Sequence, residues 1–179
     1  NYFQRNQFKK ALKYFQYYSK HQTQPQRLHY YLSLCYERLG YRDLSAKHLV
    51  FSLQIRPVDL DAWILYVETL AYGNVPEELL EYLKDAQEVL HDHPDGLKKL
   101  GSFYQERKDS LACPIFERVA ELCPDDDEVH LVLANYYYEA KKYSKAFSHF
   151  HKVKKDLQEP LLERYSLCAE RSLNYAEAF

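Results

Sequence analysis

The sequence predicts an all-α chain built as a solenoid of antiparallel helix-turn-helix units. Apolar and aromatic residues recur at helical spacing, and the scheme they make repeats every 34 residues from position 26 onward. Four glycines and seven prolines in 179 residues leave little material for tight turns and bulges, and charged-apolar mixtures with few β-branched runs favour helix over sheet.

The elements follow in chain order as one array over 1–179, with units at approximately 1–25, 26–59, 60–93, 94–126, 127–158 and 159–179. Phe8, Ala11, Phe15 and Tyr18 fit a second helix whose first helix is mostly missing. In 26–59, Leu32, Tyr36, Leu49 and Leu53 keep helical spacing, Ser33, Ser45 and Ser52 are small, Gly40 marks the turn and Pro57 the stop. In 60–93, Trp63, Tyr66, Val67 and Leu70 make the first helix, Gly73-Asn74 the turn, and Leu79, Leu83 and Ala86 the second. In 94–126, Leu97, Leu100, Gly101 and Tyr104 precede Ala112, Phe116, Val119 and Pro124, and the second helix arrives one residue early. In 127–158, Leu133, Ala134 and Tyr137 precede Tyr143, Ala146, Phe150 and Val153. After Pro160, Leu162, Tyr165 and Ser166 open a first helix, and Tyr175 and Ala178 a second that stops midway. Both terminal units are therefore expected to be incomplete, parts of a longer scaffold. The start at Asn1 and the absence of Met, where average usage predicts roughly three or four, agree with an excerpt.

These residues resemble the tetratricopeptide repeat (TPR) family, whose pattern runs large apolar, Leu, small and Tyr in helix A, then Tyr, Ala, Phe, Ala and Pro through helix B. Leu97-Leu100-Gly101-Tyr104 and Tyr143-Ala146-Phe150 carry it best, and the resemblance spans almost the whole chain, about five repeats' worth. It implies a right-handed superhelical solenoid in which each hairpin buries its apolar face against the next and a long groove is left open. Small residues at Ser33, Gly101, Ala134 and Ser166 are expected to let helix B approach helix A, answered by Ala112, Ala146 and Ala178. Trp63 stands alone of its type, Pro76 replaces the usual Tyr before helix B, and Pro114 falls inside the start of another helix B, deep enough to strain its turn and make that unit irregular.

The resemblance also implies where partners lie, against set positions of helix A. These become Arg27, Tyr30, Leu34, Glu37 and Arg38; Asp61, Ile64, Glu68 and Tyr72; Asp95, Lys98, Ser102 and Gln105; Glu128, Leu131, Asn135 and Tyr138; and Glu163 and Leu167. The surface is mixed, with apolar anchors and both signs of charge, and other proteins are the expected partners, bound as peptides or helices. The carboxylate clamp that one TPR subset closes on chaperone tails is not reproduced, because Lys98 is followed by Ser102 and Asn135 is preceded by Leu131. From Leu32 through Gly40 and Pro57 to Trp63 the chain looks like the repeats of anaphase-promoting complex subunits. That implies a scaffold in a ubiquitin ligase of the cell cycle, and a homodimer. The alternatives are a co-chaperone or transport adaptor, or a non-catalytic auxiliary subunit of a modifying enzyme.

A formal charge of −2 and a pI near 6.5 supply no basic field to gather phosphates, so nucleic acid is not an expected partner. The longest apolar stretches are a few residues and no charged-then-apolar leader precedes them, so neither a membrane partner nor secretion is expected, and the location is cytoplasmic or nuclear. Cys35, Cys113, Cys123 and Cys168 form no CxxC pair and have no His at ligand spacing, which predicts buried free thiols. His91 and His93 flank Asp92, and His149 and His151 sit two apart on helix B, pointing to different faces, so they share no metal. Asp125-Asp126-Asp127 lacks the alternation, central Gly and terminal Glu of a calcium loop and instead predicts a cap for the following helix. HExxH, GxSxG, GxGxxG and the phosphate loop are all missing from the sequence, so no catalytic residue, metal or cofactor is expected and the chain is not read as an enzyme. The runs Tyr14-Phe15, Tyr17-Tyr18 and Tyr136-Tyr137-Tyr138 cannot all face inward on a helix, so each must present an aromatic outward.

Overall fold

The computed structural model describes residues 5–21, 27–71, 77–155 and 157–177. Every element among them is a helix: α1 (Phe8–His21), α2 (Leu28–Arg38), α3 (Arg42–Ile55), α4 (Leu60–Ala71), α5 (Glu77–Leu80), α6 (Leu83–Val89), α7 (Pro94–Glu106), α8 (Ala112–Leu122), α9 (Asp127–Glu139), α10 (Tyr143–Lys152) and α11 (Leu161–Glu177). The chain divides into two compact units, 1–103 and 104–179, with the boundary on α7. The expected turn at Gly73-Asn74, and Tyr72, Pro76 and Ala178, lie outside the described residues.

In the first unit α1 packs on α2, α2 on α3, α3 on α4 and α4 on α6. The predicted apolar positions form the core: Leu32, Leu49, Leu53, Trp63, Tyr66, Val67 and Leu70 are all buried. Ser33 is fully buried and its carbonyl accepts the Ser45 hydroxyl at 3.0 Å, so the small residues do bring the two helices of this hairpin together. Pro57, the predicted stop, accepts the Trp63 indole N–H on its carbonyl at 2.7 Å. In the second unit α8 packs on α9, α9 on α10 and α10 on α11, around Ile115, Val119, Leu133, Ala134, Ala146 and Phe150.

Helix ends explain much of the hairpin geometry. At the end of α2, Gly40 takes φ 82°, its N–H reaches the Glu37 carbonyl and the Tyr41 N–H reaches Tyr36. That left-handed residue satisfies two terminal carbonyls at once. α7 and α9 close identically through non-glycine residues. Lys108 (φ 55°) and Asp109 donate to Gln105 and Tyr104, and Lys141 (φ 58°) and Lys142 donate to Tyr138 and Tyr137. Asp126 caps α9, its carboxylate accepting the Glu128 and Val129 N–H groups at 3.1 and 3.3 Å, as the acidic run predicts. Its neighbours do something else: Asp125 pairs with Lys154, and Asp127 accepts the backbone N–H groups of Lys154 and Lys155.

Three expectations need correction. Pro114 breaks nothing: α8 runs unbroken with Pro114 as its third residue, where a missing N–H costs no intrahelical bond. The irregular helix B is instead that of residues 77–89, which is split between α5 and α6 at Glu81-Tyr82. There the buried Tyr66 hydroxyl donates to the Leu79 carbonyl, the group that the Leu83 N–H takes in a continuous helix. Last, no turn separates Tyr165 from Tyr175. α11 is one helix of 17 residues, because the stretch Arg171-Ser172-Leu173-Asn174 holds neither Gly nor Pro. Ser166 is consequently exposed, with its hydroxyl turned back to the Leu162 carbonyl at 2.9 Å.

Candidate functional site

Most of the helix-A positions are half-buried. In the first unit Arg27, just ahead of α2, donates through Nη2 to Asp59 at 3.1 Å and to Asp61 at 2.8 Å, with its guanidinium 4.6 Å over the Tyr30 ring. The Asp61 hydrogen bond, more than any other cause, raises the Arg27 pKa. Three of the predicted residues are thereby brought together, but as a cluster whose charges answer each other. Leu34, Glu37 and Glu68 line a cavity of about 260 Å³ with Arg38, Arg42 and Thr69, and Glu68 also accepts Lys99. Ile64 and Lys98 are half-buried outside that cavity, and Ser102 is exposed on α7.

In the second unit the predicted Asn135 becomes part of a better-formed hollow. Ala112, Cys113 and Phe116 of α8, with Val132 and Leu133 of α9, wall a cavity of about 270 Å³. Its rim is polar and aromatic: Asn135, Tyr136, Glu139 and, from α11, Arg164. Arg164 holds the rim in place through Nη1, donating to Asn135 Oδ1 at 2.9 Å and pairing with Glu139 at 3.1 Å. Its guanidinium lies 4.9 Å over the Tyr138 ring. Leu131 and Tyr138 are half-buried and stand outside the hollow. Apolar walls with a few fixed polar groups at the mouth suit a side chain inserted from a partner, the walls supplying burial and the rim supplying orientation.

The helix-A register does not single out Arg164, which stands one position past Glu163 on α11, nor Cys113 and Phe116, which belong to the helix B formed by α8. Tyr136 carries a signal in the sequence, as one of three consecutive tyrosines. It is 40% exposed, and Tyr14 and Tyr17 are more so at 56% and 64%, so each aromatic run does present a ring outward.

A second arrangement escapes residue-by-residue reading. His149 pairs across the hairpin with His130, Nδ1 to Nδ1 at 3.1 Å, while His151 stacks separately on Phe147. His130 Nε2 lies 2.9 Å from the Pro124 carbonyl, which only a donor can satisfy, so with both rings neutral the remaining nitrogen of His130 accepts and His149 Nδ1 donates. The first unit holds the same group 101 positions earlier (29 to 130, 36 to 137, 48 to 149). His29 and His48 meet at 3.0 Å, and Tyr36 stacks on His48 as Tyr137 does on His149. In each unit the tyrosine hydroxyl is held by the preceding helix, Tyr36 accepting from Gln16 at 3.0 Å and Tyr137 donating to Glu117. Burial above all, and then the partner imidazole, push His48 and His149 down to about 4. Two-membered sets like these are too small to cage a metal, and among the described residues no three His, Cys, Asp or Glu side chains converge as a ligand set.

At the level of sequence, no family model and no curated protein matches the chain. Solved structures do. The chain is similar to MamA, with a TM-score of 0.68 at 15% identity over 94% of this chain and 95% of that one. It is similar to the C-terminal part of a TPR repeat-containing protein of Cytophaga hutchinsonii, with a TM-score of 0.63 at 20% identity over 85% of this chain and 60% of that one. A thermophilic TPR protein of Thermus thermophilus follows with a TM-score of 0.50 at 18% identity over 93% of both chains. The chain has the all-α fold of TPR solenoids.

Proposed function

We propose that this chain is a protein-binding scaffold that receives a peptide or helix of a partner against its helix-A positions. The carrying observation is the hollow of the second unit, with apolar walls at Ala112, Phe116 and Leu133 and a mouth fixed by Asn135, Glu139 and Arg164. In the first unit, taken by itself, the half-buried Arg27, Tyr30, Leu34 and Ile64 offer a surface of the same mixed chemistry. Nothing in this reading asks the chain for catalysis; it offers shape and a few oriented polar groups.

Capture from lysate, with partners identified by mass spectrometry, tests the reading. Tyr30→Glu and Leu131→Glu place a charge on the surface of each unit, and Arg164→Ala frees the rim. With helicity confirmed by circular dichroism, partner recovery is expected to fall about tenfold or more, as truncating an interface anchor does. Unchanged recovery by all three variants sinks the proposal.

The resemblance around Leu32, Gly40, Pro57 and Trp63 supports a finer version, a cytoplasmic or nuclear subunit of a ubiquitin-ligase assembly of the anaphase-promoting type that pairs with its own copy. Light scattering at micromolar concentration is then expected to report a dimer, and a monomer there removes that version while leaving the scaffold reading in place.

A further inference from the structure

Charge in this chain averages to almost nothing, yet one stretch departs sharply from the average. Residues 140–155 hold six lysines and no acid, which leaves 18 Lys and Arg (24 less these six) against 26 Asp and Glu over the rest. Lys141, Lys142, Lys145, Lys152, Lys154 and Lys155 are all exposed. Lys142, Lys145 and Lys152 fall at spacings of three and seven, one face of α10, and Lys154 and Lys155 continue the run beyond its end. Lys154 is taken by Asp125 at 2.7 Å, and Lys145 lies 5.0 Å over the Tyr137 ring. Among the described residues the ammonium groups of the other four have no carboxylate partner.

Packing does not require these lysines. At the corresponding places on α3, each 101 positions earlier (41 to 142, 44 to 145, 51 to 152), stand Tyr41, Leu44 and Phe51, and they too are exposed. Lys152 suits the negative end of its own helix, but Lys142 and Lys145 do not suit the other end. The N-cap Lys142 makes no side-chain cap and the first turn of α10 holds no acid, so these two stand at the positive end of the dipole, where they are unfavourable unless an anion answers them.

We propose that this face of α10 docks an acidic, Asp- or Glu-rich segment of a partner protein, on a surface separate from the helix-A positions. Charge complementarity sets the sign of the occupant and the helix sets its size. Ten residues of helix reach about 15 Å, which an extended peptide covers with roughly four or five residues. A long polyanion such as a nucleic-acid duplex extends past the stripe toward a chain with eight more acids than bases outside it (26 against 18), so a short acidic segment fits better.

Fluorescence anisotropy on the full chain tests this, with a labelled Glu-rich peptide, its Gln-rich counterpart and a short DNA duplex as probes. The Glu-rich peptide is expected to bind at low salt, the Gln-rich one not, and added salt to weaken the binding by screening. Reversing the stripe with Lys142→Glu, Lys145→Glu and Lys152→Glu together is expected to weaken it about tenfold, the equivalent of about 1.4 kcal/mol spread over three exposed pairs. The same reversal at the exposed Lys47 and Lys84 leaves binding unchanged. If the reversed chain loses helicity, the triple Lys→Gln variant takes its place. No binding of the acidic peptide, equal binding by the stripe variants, or tighter binding of the duplex overturns the proposal. The substituted lysines lie off the helix-A positions, so capture of partners through those positions survives these substitutions and the two readings fail separately.

Discussion

Gly40, Lys108 and Lys141 perform one task with unequal ease. Each ends a helix in the left-handed region and so satisfies two carbonyls, but only glycine enters that region without a penalty from its Cβ. Replacing Lys141 or Lys108 by Gly is therefore expected to stabilise the chain by about 0.5–1 kcal/mol, and Gly40→Ala to cost about 1 kcal/mol. Urea midpoints at constant slope measure both. The same trio shows where the sequence speaks and where it is silent. Gly40 announces its turn because glycine is the residue such a turn favours, whereas Lys108 and Lys141 look like any surface lysine. Asp126 is legible for a related reason: a short acceptor ahead of an apolar run has few other uses.

Between residue and fold stands the His–Tyr–His group that crosses each of two hairpins. Two of its imidazoles, His48 and His149, stay neutral in the fold, held at about 4 against an ordinary 6.5. The unfolded chain takes up those protons as pH falls below 6.5 while the folded chain does not. Folding stability is thus complete above pH 6.5 and declines as pH drops toward 4. The half-buried setting limits the effect to on the order of 2 kcal/mol per ring. Denaturation midpoints taken from pH 7 to 4.5 are expected to show the decline, and the double variant His48→Gln, His149→Gln to flatten it; an equal slope in that variant refutes the assignment. Sequence reading places His149 on helix B yet misses the pairs, because a contact between helix A and helix B follows from the repeat register and not from local spacing. It likewise expects irregularity at Pro114, a residue with a known local effect. The real break at Glu81-Tyr82 answers a long-range bond from Tyr66. Element existence is local physics; element continuity here depends on what touches the helix from outside.

Over the whole molecule, the 34-residue period makes the helical hairpins legible, since each core position is repeated and errors at one place are outvoted at the others. The surface is not periodic, and the lysine face of α10 vanishes into a net charge of −2. All four thiols are free, with Cys35, Cys113 and Cys168 buried and Cys123 half-buried, and burial pushes Cys35 up to about 11. A thiol reagent is therefore expected to modify Cys123 first in the folded protein. The other three should react only as the chain opens, at rates that climb with denaturant; prompt reaction of all four contradicts the packing described above. Trp63 bears on such measurements. It is the one indole in the chain, it is 3% exposed with its N–H bonded to Pro57, and it belongs to the unit ending at Phe103. Intrinsic emission excited at the red edge thus reports on that unit alone, while ellipticity sums over both. The native protein carries a reporter dye at a defined address, and comparing the two signals during unfolding resolves the units without any label.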